Sequence, residues 1–191
     1  YITINGQNKT VTISDIPVYP GLIQNGTSTT NGYSNVTVQN INSAISGSST
    51  LVDDGGWICQ SYFGKGANNI LVNNCINSGA INGDLSGGIC GESVSVNGTI
   101  IISNCSNSGI ISVGRGSMCG RFLGESGNAT ITGSISLTND AYYNDLTISG
   151  GGSIFLNGFR LFVKGTLDIS NAGALAIHNN GFLGDGSTGV T

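Results

Sequence analysis

Five cysteines are the residues whose type and spacing most readily suggest chemistry. They stand at Cys59, Cys75, Cys90, Cys105 and Cys119, with successive spacings of 16, 15, 15 and 14. Thiols spaced this evenly can pair as disulfides, hold a soft metal, or pack as small hydrophobes. No Cys-x-x-Cys pair occurs, and the only histidine, His178, lies far along the chain. No metal site and no cofactor are therefore expected. An odd count leaves one thiol over in any disulfide scheme. Free, buried thiols are the leading expectation, for at least three of the five, with disulfides as the alternative.

Carboxylates come next. Asp53 with Asp54, Glu92 with Glu125, and Asp140 with Asp145 are pairs that could work as acid and base on a glycosidic bond. Arg115, Arg121 and Arg160 could add a base or an anion clamp. The run Asp53-Asp54-Gly55-Gly56 reads equally well as a turn, where Asp is favoured anyway. No Gly-x-Ser-x-Gly elbow surrounds a serine, so His178 has no nucleophile to serve. No catalytic residue is assigned, and the chain is not expected to be an enzyme. The aromatics Phe155, Phe159 and Phe162, with Tyr142 and Tyr143 nearby, could stack on sugar rings. Core and inter-subunit packing is the preferred reading for them.

Repeats position these side chains. Asn74-Cys75-Ile76-Asn77-Ser78-Gly79 returns at an offset of 30 as Asn104-Cys105-Ser106-Asn107-Ser108-Gly109. Gly88-Ile89-Cys90-Gly91 returns at an offset of 29 as Ser117-Met118-Cys119-Gly120. A looser copy, Asn40-Ile41-Asn42-Ser43 followed by Gly56-Trp57-Ile58-Cys59, precedes them. A second repeat has an offset of 21: Leu146-Thr147-Ile148-Ser149 matches Leu167-Asp168-Ile169-Ser170, and Ser153-Ile154-Phe155 matches Ala174-Leu175-Ala176. Periods of this size, built from short alternating strands, indicate a solenoid whose coils share one core. The expected fold is all-β, a right-handed parallel β-helix. Its coils place Cys59, Cys90 and Cys119 on one ladder and Cys75 and Cys105 on another. An ordinary β-sandwich is the rival.

Composition agrees. Gly, Ser, Asn and Thr make up 95 of 191 residues, and only 16 are charged. Strong helix formers are scarce, whereas 23 isoleucines supply β-branched surface to bury. Seven Asn-Gly pairs favour corners with positive φ. The N-terminal residues Tyr1–Ile4 and Thr10–Ile13 flank Asn5-Gly6-Gln7-Asn8 and read as a β-hairpin that caps the first coil. Pro17 and Pro20 follow as a stiff connector. Three segments result: a hairpin and connector over 1–35, a cysteine-containing solenoid over 36–124, and a solenoid with the repeat offset of 21 and a Gly-rich tail over 125–191. Net charge is −4 with no Lys/Arg cluster, so no nucleic-acid partner is expected. No purely apolar run exceeds four residues, so no membrane insertion is expected.

The stretch from Leu137 through Tyr142-Tyr143-Asn144-Asp145-Leu146-Thr147-Ile148 to Asn157-Gly158-Phe159-Arg160 and Gly165-Thr166-Leu167 resembles a recurrent segment of viral tail-fibre and surface-fibre proteins. The Asn-Cys-x-Asn-Ser-Gly copies resemble Cys/Gly-rich repeats of large DNA virus proteins and some bacterial surface proteins. The resemblance implies a β-helical appendage, often trimeric, on a virion surface, with no catalytic residues to carry over. It makes a structural fibre, spike or capsid-associated module the expected function. A homo-oligomer, with a trimer favoured, or lattice neighbours are the expected partners, and a host-surface glycan or protein the expected target. The alternatives are a secreted or cell-surface adhesin on the same solenoid, and a carbohydrate-active β-helix enzyme.

Overall fold

The computed structural model describes residues 1–111, 118–120, 123–124, 128–132, 135–136, 141–143, 145–149, 153–155, 160–163, 165–170, 174–176 and 182–184. The strands in chain order are β1 (Ile2–Ser14), β2 (Val36–Ser46), β3 (Ile70–Asn73), β4 (Ile76–Asn77), β5 (Thr99–Ser103), β6 (Ser106–Asn107), β7 (Asn128–Thr132), β8 (Ile135–Ser136), β9 (Ala141–Tyr143), β10 (Asp145–Ser149), β11 (Ser153–Phe155), β12 (Arg160–Val163), β13 (Leu167–Asp168), β14 (Ala174–Ala176) and β15 (Phe182–Gly184). Every pair among them is parallel. The largest sheet runs β13-β10-β7-β5-β3-β2, continues through β4 and β6, and has β1 on β2. Two smaller sheets run β14-β11-β8 and β15-β12-β9. The chain is a parallel β-solenoid.

Register gives the length of each coil. Ile2 pairs Val36 and Thr37 pairs Leu71, so the first two coils both have an offset of 34. Ile70 pairs Ile100 and Thr99 pairs Asn128, giving 30 and 29. Asn128 pairs Asp145 and Leu146 pairs Leu167, giving 17 and 21. The offsets of 30 and 21 read from the repeats are the pairing offsets of the strands. The offset changes at β7, from 29 before it to 17 after it; β7 pairs with β5 along its whole length, so the main sheet is continuous there.

Alternation fixes which side chains face inward. On β2, Val36 and Val38 are buried and Thr37 and Gln39 are not; after Asn40 the phase resets and Ile41 and Ser43 are buried. Asn40 makes that reset with φ +57, and Asn74 and Asn104 turn the same corner at +50 and +53. Asn tolerates this left-handed conformation better than other side-chain-bearing residues. The amides also stack: Asn74 Nδ2 donates to Asn40 Oδ1 at 2.7 Å, and Asn40 Nδ2 donates to Asn5 Oδ1 at 3.1 Å. The interior holds Val38, Ile70, Val72, Ile100, Ile102 and Leu146, each at most 2% exposed. A second cluster forms around Trp57, which stacks on Tyr19 with ring centroids 5.3 Å apart. Burial pushes the Tyr19 hydroxyl up to about 12.

The N-terminal segment is a coil and not a hairpin. β1 pairs with β2 in parallel, Ile2 to Asn5 against Val36 to Gln39 and Lys9 to Ser14 against Ile41 to Ser46. Asn5-Gly6-Gln7-Asn8 is the bulged corner between those halves, with Gln7 and Asn8 at φ +53 and +58. A Cβ at Gly6 would collide with the Asn40 carbonyl and the Ile41 side chain, so only glycine lets the corner close. Pairing back on itself would have satisfied the same backbone groups. Pairing with β2 also extends the interior rows and buries Ile13. Residues 15–35 complete this coil through the bridges Tyr19↔Leu51 and Ile23↔Cys59.

Candidate functional site

Cys59 bridges Cys90, and Cys90 bridges Cys119, in parallel register. The backbone locks each step: Cys59 N–H donates to Ile89 O at 2.9 Å, and Gly91 N–H donates back to Cys59 O at 2.9 Å. The next step repeats this, with Cys90 N–H to Met118 O at 2.9 Å and Gly120 N–H to Cys90 O at 3.1 Å. The glycine after each of these last two cysteines lies against the preceding turn. A Cβ at Gly91 would strike Asp54 O, and one at Gly120 would strike Leu85 O. Cys75 and Cys105 stand one coil apart on a second row, with Cys75 N–H donating to Cys105 Sγ at 3.4 Å. All five thiols are free; Cys59, Cys75 and Cys90 are buried, and Cys105 and Cys119 half-buried.

These surroundings hold the thiols protonated. Burial pushes Cys59 up. At Cys90 the Cys119 thiol pulls downward, but the Cys59 thiol and burial outweigh it. Cys119 rises through its hydrogen bond with Cys90 and through burial, and Cys105 rises through its bond with Cys75 and through burial. Only Cys75 is lowered, by the hydrogen bond from Cys105. A buried, protonated thiol is a poor nucleophile and a poor metal ligand. Among the described residues no three His, Cys, Asp or Glu side chains converge on a metal position.

The second Asn of the Asn-Cys-x-Asn-Ser-Gly repeat, to which the sequence assigns no role, points inward at Asn77. Asn77 is fully buried. Its Oδ1 accepts from Ser43 Oγ at 2.9 Å and from Gly79 N–H at 2.9 Å. Its Nδ2 donates to Asn107 Oδ1 at 2.6 Å and to Gly79 O at 2.8 Å. Both donors and both acceptor sites of the amide are used, so burial leaves nothing unpaired. Asn107 repeats the clasp on Gly109 at 3.2 and 3.3 Å.

The acidic residues do not form an acid–base pair among the described residues. Asp53 is exposed and its Oδ1 accepts the Asp84 N–H at 2.7 Å, a turn contact between coils. Asp54 takes φ +64, and its carbonyl accepts the Glu92 N–H at 2.8 Å. Glu92 is buried. Glu125, Asp140, Arg115, Arg121, Phe159 and His178 lie outside the described residues, as do the side chains of Asp145 and Phe155. Phe162 is half-buried on β12, with the Arg160 guanidinium 5.5 Å from its ring centroid. No helix among the described residues is long and apolar enough to cross a membrane.

Fold and ladders together define a parallel β-solenoid whose interior is closed by side-chain rows. No protein-family model matches the chain, and no curated protein or solved structure matches it either.

Proposed function

We propose that this chain is a structural protein of a virion surface, a β-helical fibre, spike or capsid-associated module that reaches toward a host surface and works as an assembly of copies. One structural observation supports the reading. The main sheet stacks coil on coil from β1 to β13, with the interior filled by Ile, Val, Cys and Asn rows. Such a body offers its outer faces for contact. Those faces carry few charges: the outward row Thr3, Thr37, Leu71, Ile101, Thr130, Thr147 follows the strand register uncharged and meets its one charge at Asp168 on β13. The fibre-like segment over 137–167 supports the same reading, and by that likeness the assembly is a homotrimer. Immunogold labelling of purified particles with an antibody to this chain is the test. Label on the particle surface is expected; particles that lack the chain in labelling and in mass spectrometry would overturn the proposal.

A further inference from the structure

The two thiol rows differ in ways that bear on chemistry. In the row Cys59, Cys90, Cys119 the middle cysteine has a thiol on either side. Cys75 and Cys105 form a closed pair on their side of the coil. The position before Cys75 on that row is Ile41, by the register that sets Asn42 opposite Ile76. The pair has an inner and an outer member. Cys75 is 0% exposed, whereas Cys105 is half-buried and is the one that solvent touches.

Backbone bonds hold these two cysteines at one strand spacing. Asn74 N–H donates to Ser103 O at 3.0 Å just before them, and Ser106 N–H donates to Cys75 O at 2.9 Å just after. Ile76 then pairs Ser106, and Asn77 pairs Asn107. One strand spacing is about 4.8 Å, inside the window of roughly 4.4–6.8 Å between Cα atoms that a disulfide spans. The side chains meet as well. The two thiols share a hydrogen bond, and Cys105 Sγ accepts the Cys75 N–H at 3.4 Å. The bond from Cys105 holds Cys75 below the usual thiol value. One proton therefore leaves this pair more readily than it leaves the other row, and the proton that stays lies between the sulfurs. Cys119 is half-buried too, but its bond with Cys90 and its burial hold its proton on.

We propose that Cys75 and Cys105 are an oxidisable dithiol, a site where a hydroperoxide takes two electrons and leaves a disulfide joining consecutive coils. Cys105, the member within reach of solvent, attacks one peroxide oxygen as its thiolate. An S–O bond forms, the O–O bond breaks, and the other oxygen leaves as an alcohol, or as water from hydrogen peroxide, with the proton the pair gave up. The Cys75 sulfur then attacks the Cys105 sulfenic sulfur. The S–S bond forms, the S–O bond breaks, and the hydroxyl leaves as water with the Cys75 proton. Two thiols are oxidised and one hydroperoxide is reduced. Because Cys75 already touches Cys105, the sulfenic acid is consumed before a second peroxide meets it. The disulfide spans 30 residues, from 75 to 105, beside the Asn77–Asn107 amide bond. It restrains the unfolded chain and so stabilises the folded one. The chemistry requires neither a virion nor a trimer and stands apart from the function proposed above.

The test treats the fully reduced 191-residue chain with hydrogen peroxide in the presence of a metal chelator, then counts thiols in denaturant and maps the linked peptides. The count is expected to fall from five to three, with the Cys75 and Cys105 peptides joined, the melting temperature raised, and both changes reversed by dithiothreitol. Cys105→Ser is expected to keep its four remaining thiols under the same treatment. Cys75→Ser is expected to hold Cys105 as a sulfenic acid that a cyclic dione traps. The peptide map of the unaltered chain decides the matter if neither variant folds. Five thiols left after treatment, a link within Cys59, Cys90 and Cys119 instead, or Cys105 oxidised to a sulfinic acid beside a free Cys75 would overturn the proposal.

Discussion

The long coils and the short coils solve the same packing problem differently. From β7 onward the coil offsets run from 17 to 22, and each coil is made of three short strands that pair with their equivalents in the neighbouring coil. Backbone ladders run along all three sides. In the long coils, whose offsets are 29 to 34, strands cover only part of the circuit. The remainder touches through isolated bridges such as Tyr19↔Leu51, Gly56↔Gly87 and Ile81↔Ile111. There the side chains stack instead: asparagine at the corner, cysteine and asparagine inside, glycine where two turns meet. Where backbone pairing thins out, residue identity becomes stricter, because a ladder of side chains tolerates no substitution that a ladder of peptides would ignore.

The strongest way to break that contrast is Asn77→Leu. The change removes an amide that satisfies Ser43, Gly79 and Asn107, leaving buried polar groups that cost about 1–3 kcal/mol each. A loss of roughly 4 kcal/mol is expected in chemical denaturation. A loss below about 1 kcal/mol would show that the interior amides do not carry the long coils. Leu146→Ala is the matching test in the short coils. Leu146 is fully buried, and the cavity is expected to cost about 3 kcal/mol.

Smaller effects sharpen the comparison. Asn40→Ala keeps the strand but asks a residue with a Cβ and no amide to hold φ +57, at an expected cost of about 1–2 kcal/mol. Alkaline pH tests the thiol rows. Cys59, Cys90, Cys105 and Cys119 hold their protons more tightly folded than unfolded. Their contribution is complete below the unfolded thiol value, about 8.5, and is lost as pH rises above it. Cys75, shifted downward, acts with the opposite sign but is outnumbered. The melting temperature is therefore expected to be level below about pH 8 and to fall above it. Thiol counting in denaturant without reductant should find five free cysteines; one or none would mean the rows are oxidised. Ile110→Ser, at a side chain 79% exposed, should change stability by less than about 0.5 kcal/mol.

Much of the architecture was readable because a solenoid repeats its solution. Copies at offsets of 30 and 21 favour coils of those lengths over a β-sandwich, and the Leu146/Leu167 and Ser153/Ala174 matches are the strand partners themselves. The first coil was not readable as one. Two alternating apolar runs around Asn5-Gly6 have the same pattern whether the chain turns back or rounds a corner, and its bulge moves the register so that no copy at a fixed offset stands out. The inward asparagines escaped for another reason. Asn77 is followed by Ser78 and so is not among the Asn-Gly pairs, yet it shapes a turn from within by clasping Gly79. Parity carried the clue: if Cys75 faces inward on a strand, residue 77 faces inward too.

The shortening of the coils also sets how the molecule gives way under load. Pulled from its ends along the axis, a solenoid opens one coil at a time, because each coil is held only by its neighbours. At the contour length of an extended chain, a released coil with an offset of 34 adds roughly 110–120 Å, and one with an offset of 21 roughly 70 Å. A force–extension trace would therefore carry a written order: large steps from the N-terminal half, small ones from the C-terminal half, with the ratio of step lengths telling which end yields first.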